Sequence, residues 1–329
     1  MNRIGHPIRS ILALSILAVA AVGCTTTGGL GTVPPVPRTP APSVDAGPPD
    51  MTPAPSDSAT PSPSATPGVT PSGSPVATPT TPSSGETMVI RAYFVLDGSV
   101  GVEGLVPTLR EVPETTAVAR AAMDALLRAE ILADYDRLST AIPAGTRLLG
   151  LSIRDEIATV DLSREFESGG GSASAFRRLG QVVYTLTQFS TVQSVLFQVE
   201  GRTVTTFGSE GIVLERPQRR ADYVDILPEI FVDRPAYGAA IGNPARVSGN
   251  ADVFEATFRI AILDGAGHQL VDKQAMATCG SGCRGTFDVT LAYDVSKAQW
   301  GTLRVYYGSA KDGSPQGIRD YPVWLTPAS

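Results

Sequence analysis

Residues 25–86 hold almost nothing that could be packed into a core, and this decides where along the chain a fold can form. The stretch is built from Pro, Ser, Thr, Ala and Gly. It carries 16 of the chain's 27 prolines, as in Thr60-Pro-Ser-Pro-Ser-Ala-Thr-Pro67. With so few aromatic or large aliphatic side chains, burial cannot offset the entropy of ordering the backbone. Its proline content favours extended, polyproline-type conformations. As a flexible coil, residues 25–86 would span about 45 Å, and fully extended roughly 190 Å. The expectation is a disordered stalk, with the folded part beginning near Thr87.

What precedes the stalk looks like an export segment. Arg3 and Arg9 are followed by the apolar run Ile11–Val22 and then by small residues, the three parts of a secretory signal. The run Ala21-Val22-Gly23-Cys24 resembles a bacterial lipobox, although Ala21 stands where Leu is most common. The resemblance implies cleavage before Cys24, lipidation of its thiol, and attachment to the membrane at the cell envelope. The apolar run is 12 residues long, short of the roughly 20 that a membrane-spanning helix needs. An uncleaved anchor, or a signal cut near an incidental cysteine, are the alternatives. The whole chain has a net charge of −6, and loss of Arg3 and Arg9 with the signal makes it −8. Nucleic acid wants a basic face, which this composition does not supply. No polybasic stretch is present to hold anionic lipid.

The other two cysteines form the run Cys279-Gly-Ser-Gly-Cys283. In an oxidising compartment, two cysteines around a flexible turn read as a local disulfide, worth about 2 kcal/mol for so short a loop. Half of a metal site and a redox pair are the rival readings. Zinc would need two further ligands, and His268 is the only histidine after the signal. The spacing is also one residue longer than that of a thioredoxin-type pair.

From Thr87 the pattern becomes that of a folded α+β domain. Met88–Leu96 and Leu105–Val112 read as strands, with an Asp97-Gly98 turn after the first and Pro107 marking an edge position. Thr116 can cap a helix with Val118, Ala122, Ala125, Leu126 and Ala129 on one face. Strands at Arg147–Ile153 and Ile157–Leu162 flank Arg154-Asp155-Glu156. A second helix follows Gly169-Gly170-Gly171, with Phe176, Leu179, Val182, Val183, Leu186 and Phe189 on one stripe. A hairpin of Val192–Val199 and Thr203–Phe207 closes the unit. The predicted order is ββαββαββ, a helix-backed sheet.

These residues also carry a family resemblance. Val106-Pro107 with Arg110, the turn Ile142-Pro143-Ala144-Gly145-Thr146 and the run Ala158-Thr159-Val160-Asp161-Leu162-Ser163 match the GerMN pattern in order. Gln181-Val182-Val183-Tyr184-Thr185-Leu186-Thr187 and Val199-Glu200-Gly201 continue it. Residues 87–215 thus resemble this domain, named after bacterial sporulation and spore-germination proteins. Many members carry Gly-Pro after the first helix, where this chain has Ala129-Glu130, which implies a reshaped loop.

Residues 216–225 are short and charged, and read as a linker. From Glu229 to Leu325 strands alone are expected, about seven at regular spacing. Phe258, Ile260 and Ile262 alternate inward, as do Phe287, Val289 and Leu291, and then Leu303, Val305 and Tyr307. The runs Pro244–Gly249, Val253–Ala256, Asp264-Gly265 and Ser309–Ser314 resemble the immunoglobulin-like Gmad2 domain over residues 226–327. Cys279 and Cys283 are expected at the tip of a hairpin.

The sequence predicts no catalytic grouping. His268 lies on the turn Asp264–His268 with no nucleophile beside it, and there is no Gly-x-Ser-x-Gly elbow or phosphate loop. Asp161 and Glu165 could face one cleft as a carboxylate pair, but Asp161 reads better as a brace for the backbone after its strand. No cofactor is implied. The reading is a non-enzymatic lipoprotein that binds wall polymer or envelope proteins. The resemblance implies an association with sporulation, germination or envelope assembly. A peptidoglycan-directed enzyme using acidic residues of the first domain, or a small-molecule receptor, are the alternatives.

Overall fold

The structure, a computed structural model, describes residues 85–97, 103–128, 137–209 and 211–328. The signal segment, Cys24, the proline-rich stretch, Gly98, and Ala129-Glu130 lie outside the described residues.

The chain enters the fold at β1 (Thr87–Leu96), which pairs antiparallel with β2 (Gly104–Pro113) through ten cross-strand pairs in unbroken register. A short β3 (Leu138–Ser139) covers the other edge of β1. Pro107, opposite Tyr93, is therefore on an outer strand, where its missing N–H breaks no ladder bond. Between β2 and β3, helix α1 (Val118–Leu127) buries Ala122, Met123, Ala125 and Leu126. Its N-cap is Ala117 without a side-chain bond, and not Thr116. The Thr115 hydroxyl instead accepts the Ala117 N–H at 3.1 Å. A hydroxyl bonded two residues ahead closes a local turn before the helix, and that bond competes with capping.

A second sheet runs in the order β4 (Leu148–Arg154), β5 (Ile157–Leu162), β6 (Ser194–Val199), β7 (Arg202–Thr203). The β4–β5 turn places Asp155 and Glu156 at φ 49° and 61°, and the β6–β7 turn places Glu200 and Gly201 at 49° and 74°. Both are two-residue turns with positive φ at each centre, the kind whose twist matches that of the flanking strands. The predicted strand Thr203–Phe207 is broken. Its second half, β8 (Thr206–Phe207), leaves the sheet to pair with β9 (Ile212–Val213), which sinks Phe207 against Phe166 at 5.2 Å between ring centroids.

Strands β5 and β6 are parallel, and α2 (Ser172–Leu186) makes the crossover between them. Of its predicted apolar stripe, Leu179, Val182, Val183 and Leu186 are buried, Phe176 is part-buried and Phe189 lies part-buried beyond the helix end, while every residue from Arg178 to Leu186 is buried. Three polar side chains inside are hydrogen-bonded. Arg178 donates to the carbonyls of Ala141, Phe166 and Gly169. Gln181 accepts from the Ala141 N–H and donates to the Tyr93 carbonyl, and Thr185 accepts the Tyr93 N–H. The helix is thus stitched to β1, as buried polar groups require.

The second domain is a sandwich of β10 (Ile230–Arg234), β11 (Ala240–Ile241), β12 (Ala245–Ala251), β13 (Thr257–Leu263), β14 (Gln269–Met276), β15 (Gly285–Leu291), β16 (Gln299–Gly308) and β17 (Pro315–Leu325). One sheet is β10-β12-β15 and the other β11-β17-β16-β13-β14. Phe258 and Phe287 meet between the sheets at 4.8 Å. Cys279 and Cys283 are joined by a disulfide, with Cα atoms 5.9 Å apart. They are not at a hairpin tip. Their loop links β14 to β15, which belong to different sheets. Only the Thr278–Thr286 bonds pair the stems, and the loop docks on residues 252–255 through Ser281 and Gly282. A Gly-rich turn between two strands has one sequence appearance whether or not the strands share a sheet.

Residues 216–225 are a fitted strap. Arg216 holds Asp222 through two bonds of 3.0 and 2.6 Å. A 3-10 turn from Arg220 to Ile226 then buries Tyr223 and Ile226 against α2. The two domains also share a core, because Leu96, Val106 and Leu138 pack with Ile230, Val232 and Tyr237. The unpaired edge of β2 is used there: the Pro107 carbonyl accepts the Tyr237 N–H at 2.8 Å. Gly104 sits so close to the chain that a Cβ would lie 2.8 Å from Pro228 Cδ.

Candidate functional site

The strongest concentration of polar chemistry is at the junction of the two domains. Arg220, brought in by the strap, lies over the rings of Tyr93 and Tyr184, 5.3 and 4.7 Å from their centroids. It donates to the Tyr184 carbonyl, the Thr187 hydroxyl and the Tyr93 oxygen. Tyr93 donates to Asp233 Oδ1 at 2.6 Å, and Arg91 reaches Asp233 Oδ2 at 3.2 Å. Burial pushes the Tyr93 hydroxyl far above its ordinary range, against the pull of Arg220, and pushes Tyr184 up to about 12. Both hydroxyls therefore stay protonated at physiological pH. Tyr93 acts as a donor and Asp233 as the acceptor at the centre of a bolt between β1, the strap and β10.

A groove of about 470 Å³ is lined by Asp225 of the strap with Glu229, Asp252 and Arg284, among others. Burial lowers the pKa of Arg284, an effect opposed by Asp252 and other neighbours. Arg284 is itself tied to the Pro228 carbonyl and to Asn250. Among the described residues no three His, Cys, Asp or Glu side chains converge as metal ligands.

Asp161 Oδ1 accepts the Gly201 N–H at 2.9 Å, so it braces the β6–β7 turn. Glu165 lies on a 3-10 turn, where the Ser163 hydroxyl and then the cations of Arg147 and Arg164 hold it below the usual carboxylate range. A general acid needs the opposite shift. His268 is exposed, with Nδ1 3.1 Å from Asp264 Oδ2. Asp264 in turn accepts the N–H groups of Ala266 and His268 and organises its own turn.

A second feature was not predicted. The chain's only two tryptophans face each other across β16 and β17. The rings of Trp300 and Trp324 are nearly perpendicular with centroids 5.3 Å apart, and Trp300 is 54% exposed. Further along this outer face, Arg304 holds Asp320 through two bonds of 2.7 and 2.8 Å. Next, Tyr306 donates to Asp272 at 2.6 Å, while Arg259 donates to both. The signal was present, because inward-facing Leu303 and Val305 require Trp300, Thr302, Arg304 and Tyr306 to face outward.

Comparison with known proteins agrees with this architecture. Residues 91–205 match the Germane family model, described as sporulation and spore germination. Residues 229–314 match Gmad2, the immunoglobulin-like domain of bacterial spore germination. No curated protein matches the chain. Among solved structures, it is similar to the tandem GerMN domains of the sporulation protein GerM from Bacillus subtilis, at 13% identity and a TM-score of 0.37. That match covers 74% of this chain and 62% of that one, so this chain spans under two thirds of its length. The first GerMN domain of the same protein matches at 23% identity and a TM-score of 0.34, covering 41% of this chain and 99% of that one. The chain carries a Germane domain followed by a Gmad2 domain, both associated with sporulation and spore germination.

Proposed function

We propose that this protein is a non-enzymatic lipoprotein of the cell envelope whose two domains act as one binding body for wall polymer or envelope proteins. Lipid on Cys24 holds it at the membrane, and residues 25–86 serve as its tether. The observation that supports this reading best is the junction: Tyr93, Arg220 and Asp233 bind the domains across a shared core. A body of fixed shape suits recognition, since little freedom is lost on binding. Asp161 is engaged in holding a turn, and Glu165 shifts away from the range of a general acid.

The test uses the full chain purified in detergent and mixed with isolated cell wall. The expected outcome is protein that pellets with the wall and releases no soluble fragments. Fragment release that disappears in Asp161→Asn or Glu165→Gln would replace this reading with a peptidoglycan-directed enzyme. A thermal shift with small metabolites and no pelleting would favour a receptor. For the anchor, Cys24→Ala should move the chain from the detergent phase to the aqueous phase, and unchanged partition would refute lipidation.

A further inference from the structure

We propose that the outer face of the five-stranded sheet in the second domain binds a neutral, linear glycan, with Trp300 and Trp324 as its stacking anchor. This rests on the wall-binding reading and names the surface and the ligand class.

Exposed aromatic surface is costly to leave in water and is rarely without use when concentrated. Here both tryptophans of the chain occupy one spot, and Trp300 is half-exposed. Their perpendicular rings form a step, on which the apolar face of a sugar ring can lie. Trp300, Arg304 and Tyr306 follow one another along the outward positions of β16. At about 3.3 Å per residue, the row from Trp300 to Tyr306 is roughly 20 Å long. That shape fits an extended chain.

The charges choose the ligand class. Arg304 is paired with Asp320 and Arg259 with Asp272, so the row has no net charge. An acidic polymer gains no attraction from it and meets a chain of net charge −6. Arg304 spends Nε and one terminal nitrogen on Asp320, leaving the other terminal nitrogen for a hydroxyl or acetamido oxygen. A protein partner fits less well. Stable protein interfaces deplete charge at their centre, and covering two ion pairs with a dry surface costs more than it returns. A glycan leaves such pairs wet.

The other sheet supplies an internal contrast. On β12 and β15 its outward positions carry Arg246, Ser248, Thr286 and Asp288, including an ion pair. The outward ring on its β10, Phe231, is buried against Tyr184 of the first domain, whereas Trp300 on the five-stranded sheet is left open to water.

Because Trp300 and Trp324 are the only tryptophans, intrinsic fluorescence reads the site directly. The full chain in detergent is titrated with N-acetylchitohexaose, and in parallel with poly-L-glutamate. A saturable change with the neutral glycan alone is expected. Trp300→Ala should weaken that binding about tenfold or more, and Trp300→Phe should recover part of it. Melting curves check that each variant folds, and the wild-type titration stands whether or not they do. No change with the glycan, or a response to poly-L-glutamate only, overturns the proposal. A change that tracks protein concentration and comes with dimer formation on sedimentation also overturns it, assigning the face to a second copy. Wild-type and Trp300→Ala chains that pellet equally with cell wall would sink this site while leaving the wall-binding reading in place. A wild-type chain that does not pellet removes the broader reading.

Discussion

The junction and the outer sheet face are made from the same three residue types. At the junction Tyr93 donates to Asp233 at 2.6 Å with Arg220 alongside. On the sheet face Tyr306 donates to Asp272 at 2.6 Å with Arg259 alongside. What differs is water. Tyr93 is fully buried, whereas Arg259 and Tyr306 keep part of their surface in water; the two acids do not differ in this sense, Asp233 being 24% exposed and Asp272 12%. The buried set holds two domains together because each group would be stranded without the others. The open set costs little to hold and leaves polar edges for a ligand. Residue identity alone does not separate these roles; burial does.

The sharpest way to break this comparison is to remove the central acid from each. Asp233→Ala leaves the buried Tyr93 hydroxyl without its acceptor and takes the carboxylate from Arg91 and Arg220, and should cost about 2–3 kcal/mol of stability after allowing for partial exposure. Asp272→Ala should cost less, about 1 kcal/mol, because Arg259 and Tyr306, being part-exposed, can turn to water once the acid is gone. Equal losses in urea unfolding would mean that the junction is no bolt. A smaller contrast comes from the hydroxyls: Tyr93→Phe should cost about 1–2 kcal/mol and Tyr306→Phe no more than about 0.5. The smallest effect concerns the strap. Arg216, by hydrogen bond and charge, holds Asp222 below the usual carboxylate range. A depressed pKa stabilises the fold fully above the unfolded value, about 3.9, and that share fades as pH falls through the folded one. Melting temperature followed downward from pH 7 should therefore decline below about pH 4, and Asp222→Asn should make that slope shallower.

Much of this was legible in the sequence. Alternation located most strands of both domains, as for β2, read as Leu105–Val112 and found as Gly104–Pro113; the link read as Glu200-Gly201-Arg202 is one residue shorter, because positive φ at Glu200 and Gly201 closes the turn and leaves Arg202 to pair. The buried helix α2 was half-legible. Its apolar stripe has the period of a helix, but Arg178, Gln181 and Thr185 look like a solvent face until β1 and the 139–142 loop arrive to take their hydrogen bonds. The same limit hid the junction, since Arg91, Tyr93, Arg220 and Asp233 are up to 142 residues apart. It also hid which sheets flank Cys279 and Cys283. The tryptophan pair was legible in principle, because strand parity puts both rings outside, but the register that sets them opposite each other is a property of the fold.

Strand β1 begins where the proline-rich stretch ends and finishes with Leu96 inside the shared core. A pull applied at residue 86 and resisted by the second domain would run lengthwise along this strand. Its ten cross-strand pairs with β2 would then be loaded together in shear, and would not peel apart one at a time. Were the proline-rich stretch to act as the tether proposed above, this order of elements would let the first domain carry tension from it to a ligand held by the second.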